Sequence, residues 1–223
     1  MSSLIINSQG KAYSVNGLAL VLPPEPVFYS SLVFDGTAYI KTDIIPPADS
    51  SFVVPLGNET LKSGQRLFLA PTSVGQIGAI VSPGNSTATN RFFSVYYGSS
   101  QTVSSNRSLA WSTSTYNFFL TPKRFGWDST SYTFTKGSNN ATGGLTIGQN
   151  SSGSGQPYTG IIRNYFKIFG SDAQNVISFS SFDSYTPLYT LRPCLFEGEA
   201  GLWCVESGKF YGNSASSGSL SVV

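Results

Sequence analysis

No stretch of the chain places apolar residues at i, i+3, i+4 and i+7, whereas short alternating or continuous apolar runs bounded by Gly, Pro, Asn and Ser recur throughout. A chain punctuated in this way cannot build long helices and reads as nearly all β. Strands are expected over residues 12–15, 19–22, 31–34, 39–41, 51–54, 65–70, 77–81, 92–97, 102–103, 116–121, 125–127, 131–135, 145–147, 160–169, 175–182, 188–195, 201–205 and 209–210. Short strands at roughly 8–12-residue spacing imply a two-sheet antiparallel sandwich with jelly-roll connectivity. In the run from Ile161 to Phe169, Ile162, Phe166 and Ile168 share one face and Arg163, Tyr165 and Lys167 the other, so one face is core and the other wetter. The same alternation turns Tyr132 and Phe134 inward and leaves Thr133 outward, a position that suits a β-branched hydroxyl.

Composition sets the function classes. Of 223 residues only 11% are charged, while 40% are hydrophobic and 14% aromatic, so a packed core is available and the polarity comes from Ser, Thr and Asn. The chain has no His and a net charge of +2. The commonest general base and metal ligand is therefore missing. No basic cluster offers a footprint for nucleic acid or an anionic membrane. The start, through Leu4-Ile5-Ile6, has neither a basic leader nor a long apolar run, so export and membrane insertion are not expected and synthesis in a cytoplasm is.

Two boundaries divide the chain. Pro23-Pro24-Glu25-Pro26 is a stiff, donor-poor spacer, giving an N-terminal segment over 1–22, a Pro-rich linker over 23–27 and a large domain over 28–223. The N-terminal segment, with short strands about Asn16-Gly17, is a hairpin-like anchor too small to bury a core alone, and it needs a partner surface. Residues 137–157, rich in Gly, Ser and Asn, read as two exposed loops flanking one strand. Cys194 and Cys204 lack the spacing or partners of a zinc site. If Glu199 centres a hairpin turn, the two oppose each other and a disulfide is geometrically open. As two small buried hydrophobes in a reducing compartment they would instead stay free.

Three strings resemble a known family. Asp35-Gly-Thr-Ala-Tyr-Ile-Lys-Thr-Asp-Ile-Ile-Pro46 resembles the opening motif of concanavalin-like (LamG-type) jelly-roll domains frequent in tailed-phage virion proteins and gut-bacterial surface proteins. Tyr158-Thr-Gly-Ile-Ile-Arg-Asn-Tyr-Phe-Lys-Ile-Phe169 is similar to a central strand of that family. Gly201-Leu-Trp-Cys-Val-Glu-Ser-Gly-Lys-Phe-Tyr-Gly-Asn213 resembles its closing motif, with Cys204 where an acidic residue is usual. The resemblance implies a concanavalin-like jelly roll and a place on the surface of a phage virion as a fibre, decoration or tail-tip component. Residues 1–22 would then join other virion proteins or sister subunits, by analogy in a homotrimer. It bears weakly on activity, since fold alone does not set function.

An enzyme is not expected. Among the carboxylates only Glu197 and Glu199 have the spacing of a glycosidase pair, and they sit in a turn-like Glu-Gly-Glu-Ala-Gly string. Neither a nucleophile elbow nor a phosphate loop occurs. Although calcium often accompanies this fold, Asp35, Asp43, Asp128, Asp172 and Asp183 are scattered, and no metal or cofactor is expected. Sequons at Asn58, Asn85, Asn106, Asn140 and Asn150 mark exposed loops.

What remains is non-covalent binding. Aromatic faces cover the apolar side of a sugar ring while hydroxyls and amides meet its hydroxyls. Trp111, Trp127, Tyr96, Tyr97 and Tyr116, beside the loops over 98–106 and 122–124, are the candidate contacts for a host-surface polysaccharide, with Arg124 as a polar partner. The bland reading makes these rings core. Adjacent pairs such as Tyr96-Tyr97 and Phe118-Phe119 must still send one ring away from the core side of their strand. A purely structural decoration domain without ligand is the other reading.

Overall fold

The computed structural model describes residues 4–6, 12–14, 24–57, 64–83, 90–103, 109–110, 115–137, 140–149 and 156–223. Two sheets face each other. The smaller runs Ser100–Val103, Asn90–Gly98, Gln76–Pro83, Gln65–Pro71, Thr146–Ile147 and Ile40–Lys41. The larger runs Thr130–Thr133, Arg124–Trp127, Tyr116–Leu120, Ser51–Gly57, Phe166–Phe169, Tyr189–Phe196, Glu199–Cys204 and Lys209–Tyr211. Pairing is antiparallel except where Gln156–Pro157 runs parallel to Gln65–Pro71.

The larger sheet forks at its middle. Asn164 adopts a left-handed φ of 56° and breaks the expected long strand into Thr159–Arg163 and Phe166–Phe169. Both halves pair with Ser51–Gly57, and the first half continues the sheet into Ser31–Asp35 and Leu220–Val222. Pro55 lies between the two pairings, Leu56 with Ile162 and Val53 with Lys167. The ladder is already interrupted there, so a residue without an N–H is tolerated in a central strand.

The main core lies between the sheets and is aromatic. Phe52 and Phe166 from the larger sheet each bring their ring centroids to 5.1 Å from Phe68 of the smaller, and Phe93 stacks on Phe118 at 5.0 Å. Each such ring, buried, contributes about 1.5–3 kcal/mol over its exposed state. Ile162, Phe166 and Ile168 join this core, with Tyr132 and Phe134 packed at its margin, as their alternation implies.

The segment expected as a strand over 175–182 forms 3-10 turns instead, at Ser171–Asn175 and Phe179–Ser184. Side chains three residues apart eclipse in a 3-10 helix, and Ala173, Val176, Phe179 and Phe182 recur at that interval. They pack on Val53, Phe119 and Phe169, forming a second cluster on the outer face of the larger sheet. Phe118 faces the main core and Phe119 this one, which places both rings of the adjacent pair.

Near the N-terminus, Ala12–Ser14 pairs with Leu4–Ile6, and the expected strand over 19–22 lies outside the described residues. Val27–Phe28 pairs with Tyr189–Phe196, so the sheet begins at Val27, the last residue assigned to the linker.

The disulfide geometry is corrected by register. Phe196 opposes Glu199, and the turn is Glu197-Gly198, with φ of 50° and 85°, a two-residue type I′ turn. Cys194 therefore opposes Gly201 and Cys204 opposes Leu191. Strand alternation sends Cys204 into the core and Cys194 to the opposite face. Both are free and buried.

Candidate functional site

The structure places three of the expected sugar-binding aromatics in the core. Tyr97 and Tyr116 are 2% exposed and Trp127 6%. Phe93 lies 5.7 Å from Tyr116 and 5.2 Å from Trp127, ring to ring. The Tyr97 hydroxyl donates to the Ser50 carbonyl at 2.8 Å, and burial, with Asp49 nearby, pushes its phenol well above the ordinary value. These rings cannot offer a face to a ligand, because Tyr97 from the smaller sheet and Tyr116 and Trp127 from the larger fill the core between the two. Tyr96, opposite in alternation to Tyr97, is half-buried. Arg124 is half-buried in its strand, its amide donating to Thr121 Oγ1 at 2.9 Å. Trp111 lies outside the described residues.

The opening and closing motifs meet. Asp35 Oδ1 accepts from the Thr37 amide and hydroxyl and from the Ala38 amide at 2.8, 2.8 and 2.9 Å, and its Oδ2 from the Ser219 amide at 2.5 Å. Burial pushes this carboxyl up, yet the bonds from Ala38, Ser219 and Thr37 together hold it well below 3.8. Asn213 Oδ1 accepts from the Tyr39 and Ala215 amides, its Nδ2 donates to the Gly218 carbonyl, and its amide donates to Glu199 Oε1 at 3.0 Å. These motif residues therefore latch one end of the sandwich. Glu199 is engaged in that latch and Glu197 occupies the turn, both exposed.

Beside the latch is a cleft of ≈ 370 Å³ lined by Asp43, Ile44, Ile45, Tyr189, Ser207, Lys209 and Tyr211. It forms where the segment after the smaller sheet's edge strand Ile40–Lys41 meets the larger sheet's edge strand Lys209–Tyr211. Tyr211 and Lys209 donate to the two oxygens of Asp43. The bonds from Lys209 and then Tyr211 hold the Asp43 carboxyl below its usual range, and burial followed by the Asp43 bond pushes the Tyr211 phenol far up. Alongside, Glu206 Oε2 accepts from the Thr190 amide at 2.6 Å and from the Cys204 thiol at 3.7 Å. It thus brings a carboxylate beside the position where the family pattern has its acidic residue and this chain has Cys204.

The cleft offers a carboxylate acceptor, an ammonium donor and hydroxyls from Ser207 and Tyr189. Beside them are the Tyr189 ring and Ile45, which is 52% exposed, as apolar wall. Adjacent ring hydroxyls of a sugar could donate to Asp43 and accept from Lys209 while the apolar side of the ring lies on Ile45 and Tyr189. Sequence reasoning missed Tyr189, Lys209 and Tyr211 as site residues and treated Asp43 only as a strand-end carboxylate. The available signal was the motif resemblance itself, which contains Asp43 in the first string and Lys209 and Tyr211 in the last. A second hollow of ≈ 390 Å³, lined by Val33, Ile161 and Arg163 among others, has Arg163 as its charged side chain. Among the described residues no group of ≥ 3 His, Cys, Asp or Glu could hold a metal ion, and no helix is long and apolar enough to cross a membrane.

No family model and no curated protein matches the chain. Among solved structures it is similar to a native heptameric SAP-like pentraxin from Limulus polyphemus, at 11% identity and a TM-score of 0.51 over 81% of this chain and 97% of that one. It is also similar to domains LG4-5 of the mouse laminin alpha1 chain, at 14% identity and a TM-score of 0.44 over 71% of this chain and 48% of that one. At 11% identity the pentraxin likeness speaks to fold alone. The chain is an all-β, two-sheet antiparallel sandwich with the concanavalin-like jelly-roll fold.

Proposed function

We propose that the protein is a non-enzymatic carbohydrate-binding component of a tailed-phage virion. The jelly roll is displayed on the particle surface, and residues 1–22 attach it to other virion proteins or to sister subunits, as a homotrimer by family analogy. The observation that carries the binding reading is the edge cleft, where Asp43, Lys209, Ser207 and Tyr189 converge beside exposed Ile45. The virion part of the reading is supported by the opening, central and closing strings and by the small N-terminal segment. A weak monovalent site suits such a setting, because repeated copies on one particle gain avidity. The neutral, hydroxyl-rich surface suits it as well, since it has no strong field to collect charged molecules indiscriminately.

The test is a panel of host-surface polysaccharides and their oligosaccharides, read by melting temperature. A ligand at about 100 times its Kd adds about 2.7 kcal/mol, which is roughly 5–10 °C for a chain of this size. Asp43→Asn and Tyr189→Ala should abolish the shift while leaving the unliganded protein folded. A panel that moves the wild type and both variants equally places binding elsewhere, and a silent panel overturns the carbohydrate reading.

A further inference from the structure

Among the described residues, the two 3-10 turns cover the outer face of the larger sheet only in part. Over its middle strands the two 3-10 turns bury Val53, Phe119 and Phe169. Beyond them, on the last hairpin and its neighbours, the same face carries an aromatic strip. Arg192 opposes Trp203 and Trp203 opposes Phe210, while Phe28 opposes Cys194. The Phe196 ring lies 5.3 Å from both Trp203 and Phe210, and the Arg192 guanidinium stacks 4.1 Å above Phe28. Phe28 is 39% exposed and Val205, on the same face, 49%. Gly201 makes room in the middle, since a Cβ there would come within 2.7 Å of the Phe210 ring.

Phe196, Trp203 and Phe210 are half-buried beside exposed Phe28, and partly exposed rings gathered in this way mark an interaction surface. Three of the four rings are Phe and carry no hydrogen-bonding group, and the Trp203 indole and the Arg192 guanidinium only donate, so the strip lacks the acceptors that a sugar's hydroxyls need and fits an apolar polypeptide better. One such polypeptide is attached to it. The 22 residues before Pro23 contain Leu4-Ile5-Ile6 and Leu18-Ala-Leu-Val-Leu22 and a single charged side chain, Lys11. A two-stranded hairpin of that size cannot bury its own apolar surface.

Chain direction decides whose segment docks. Val27 opposes Leu195 and Phe28 opposes Cys194, so the chain preceding Val27 heads toward Phe196 and the Glu197-Gly198 turn, off the end of the strip. Pro24-Glu25-Pro26 then extends it stiffly by about 3.1 Å per residue in the same sense. Returning to its own strip would require a reversal, whereas reaching the strip of a neighbouring molecule would not. We infer that the Phe28–Arg192–Phe196–Trp203–Phe210 strip is the docking surface for residues 1–22 of a second copy of this chain. The contact is head-to-tail, so it closes into a ring or propagates as a fibre. The inference rests on the attachment role proposed for residues 1–22.

The experiment is sedimentation of full-length protein with Phe28→Glu in the strip and, separately, Leu20→Asp in the segment. Arg192→Glu serves as a second strip variant at an exposed position, and melting curves confirm that each chain is folded. The wild type should associate and each single variant should lose the associated species. A mixture of Phe28→Glu, which keeps its segment, with Leu20→Asp, which keeps its strip, should recover association. A monomeric wild type overturns the inference, as does persistent association of either single variant or a mixture that stays monomeric. Glycan binding by the same variants is read separately at the cleft, so its absence would count against the carbohydrate reading alone.

Discussion

Tyr211 donates its phenolic proton to Asp43, a carboxylate 168 positions earlier in the chain, and this bond ties the closing strand of the larger sheet to the segment that leaves the edge of the smaller. Lys209 completes the contact on the other oxygen. The ion pair is exposed and is therefore worth little to stability. Its consequence is an ionised carboxylate held in a fixed position beside Tyr189 and Ile45.

The Asp43 carboxyl should titrate below 3.8 in the wild type. Lys209→Met and Tyr211→Phe should each move it back toward that value, the former further, since Lys209 is the larger cause. Carbon-detected NMR of the carboxyl across an acid titration reads this directly, and an unmoved resonance in both variants would remove the contacts from the site.

Asp35 governs the acid limb of stability. A carboxyl held well below 3.8 in the folded chain, and at 3.8 when unfolded, contributes its stability in full above 3.8 and loses it as pH falls through the folded value. Asp35→Ala should therefore lower stability by about 1–2 kcal/mol at neutral pH, a drop of roughly 2–8 °C in melting temperature. The gap between wild type and variant should narrow as the pH is taken down through the acid range. A gap that persists at the lowest pH would mean that the Asp35 charge is not what the latch uses.

Cys194 and Cys204 should both be found as thiols. Burial pushes the Cys194 thiol up to about 11, and both residues are 0% exposed, so a thiolate-specific reagent near pH 8 should react slowly with the native protein and with two groups after unfolding. Recovery of no thiols in denaturant without reductant would contradict the register of the hairpin.

Glu197 occupies a left-handed position that Asn adopts more readily in a type I′ turn. Glu197→Asn should stabilise the hairpin by about 0.5–1 kcal/mol. Gly198→Ala should do the reverse by a similar amount, because a Cβ at φ 85° is strained although nothing lies within 4 Å of it. Paired thermal melts of the two variants check both signs.

The aromatic face also separates what alternation can and cannot say. Alternation assigned Ile162, Phe166 and Ile168 to one side of a strand correctly because a strand's period of two is local. It could not say what covers the other side. Alternation turns Phe119 away from the main core, but that two 3-10 turns cover it there was not legible, because an all-β reading takes their period of three for a strand. Tyr97, Tyr116 and Trp127 had the same composition and loop proximity as binding residues would have. Only the packing of the smaller sheet against the larger made them core.

By itself the sequence determined the all-β class, the punctuation into short strands and the core-facing residues of the strongest strands. Those properties follow from backbone preferences and a two-residue period, both readable over a few neighbouring positions. Tertiary structure decided the hairpin register, the fork at Asn164 and the cleft. A displacement of the turn centre by one and a half residues, from Glu199 to the middle of the Glu197-Gly198 pair, slips the pairing by three, from Cys204 to Gly201 opposite Cys194, and so puts Cys194 and Cys204 on opposite faces. The cleft joins Asp43 to Lys209 and Tyr211 across 166 and 168 positions, a juxtaposition that exists only once two sheet edges have closed on each other.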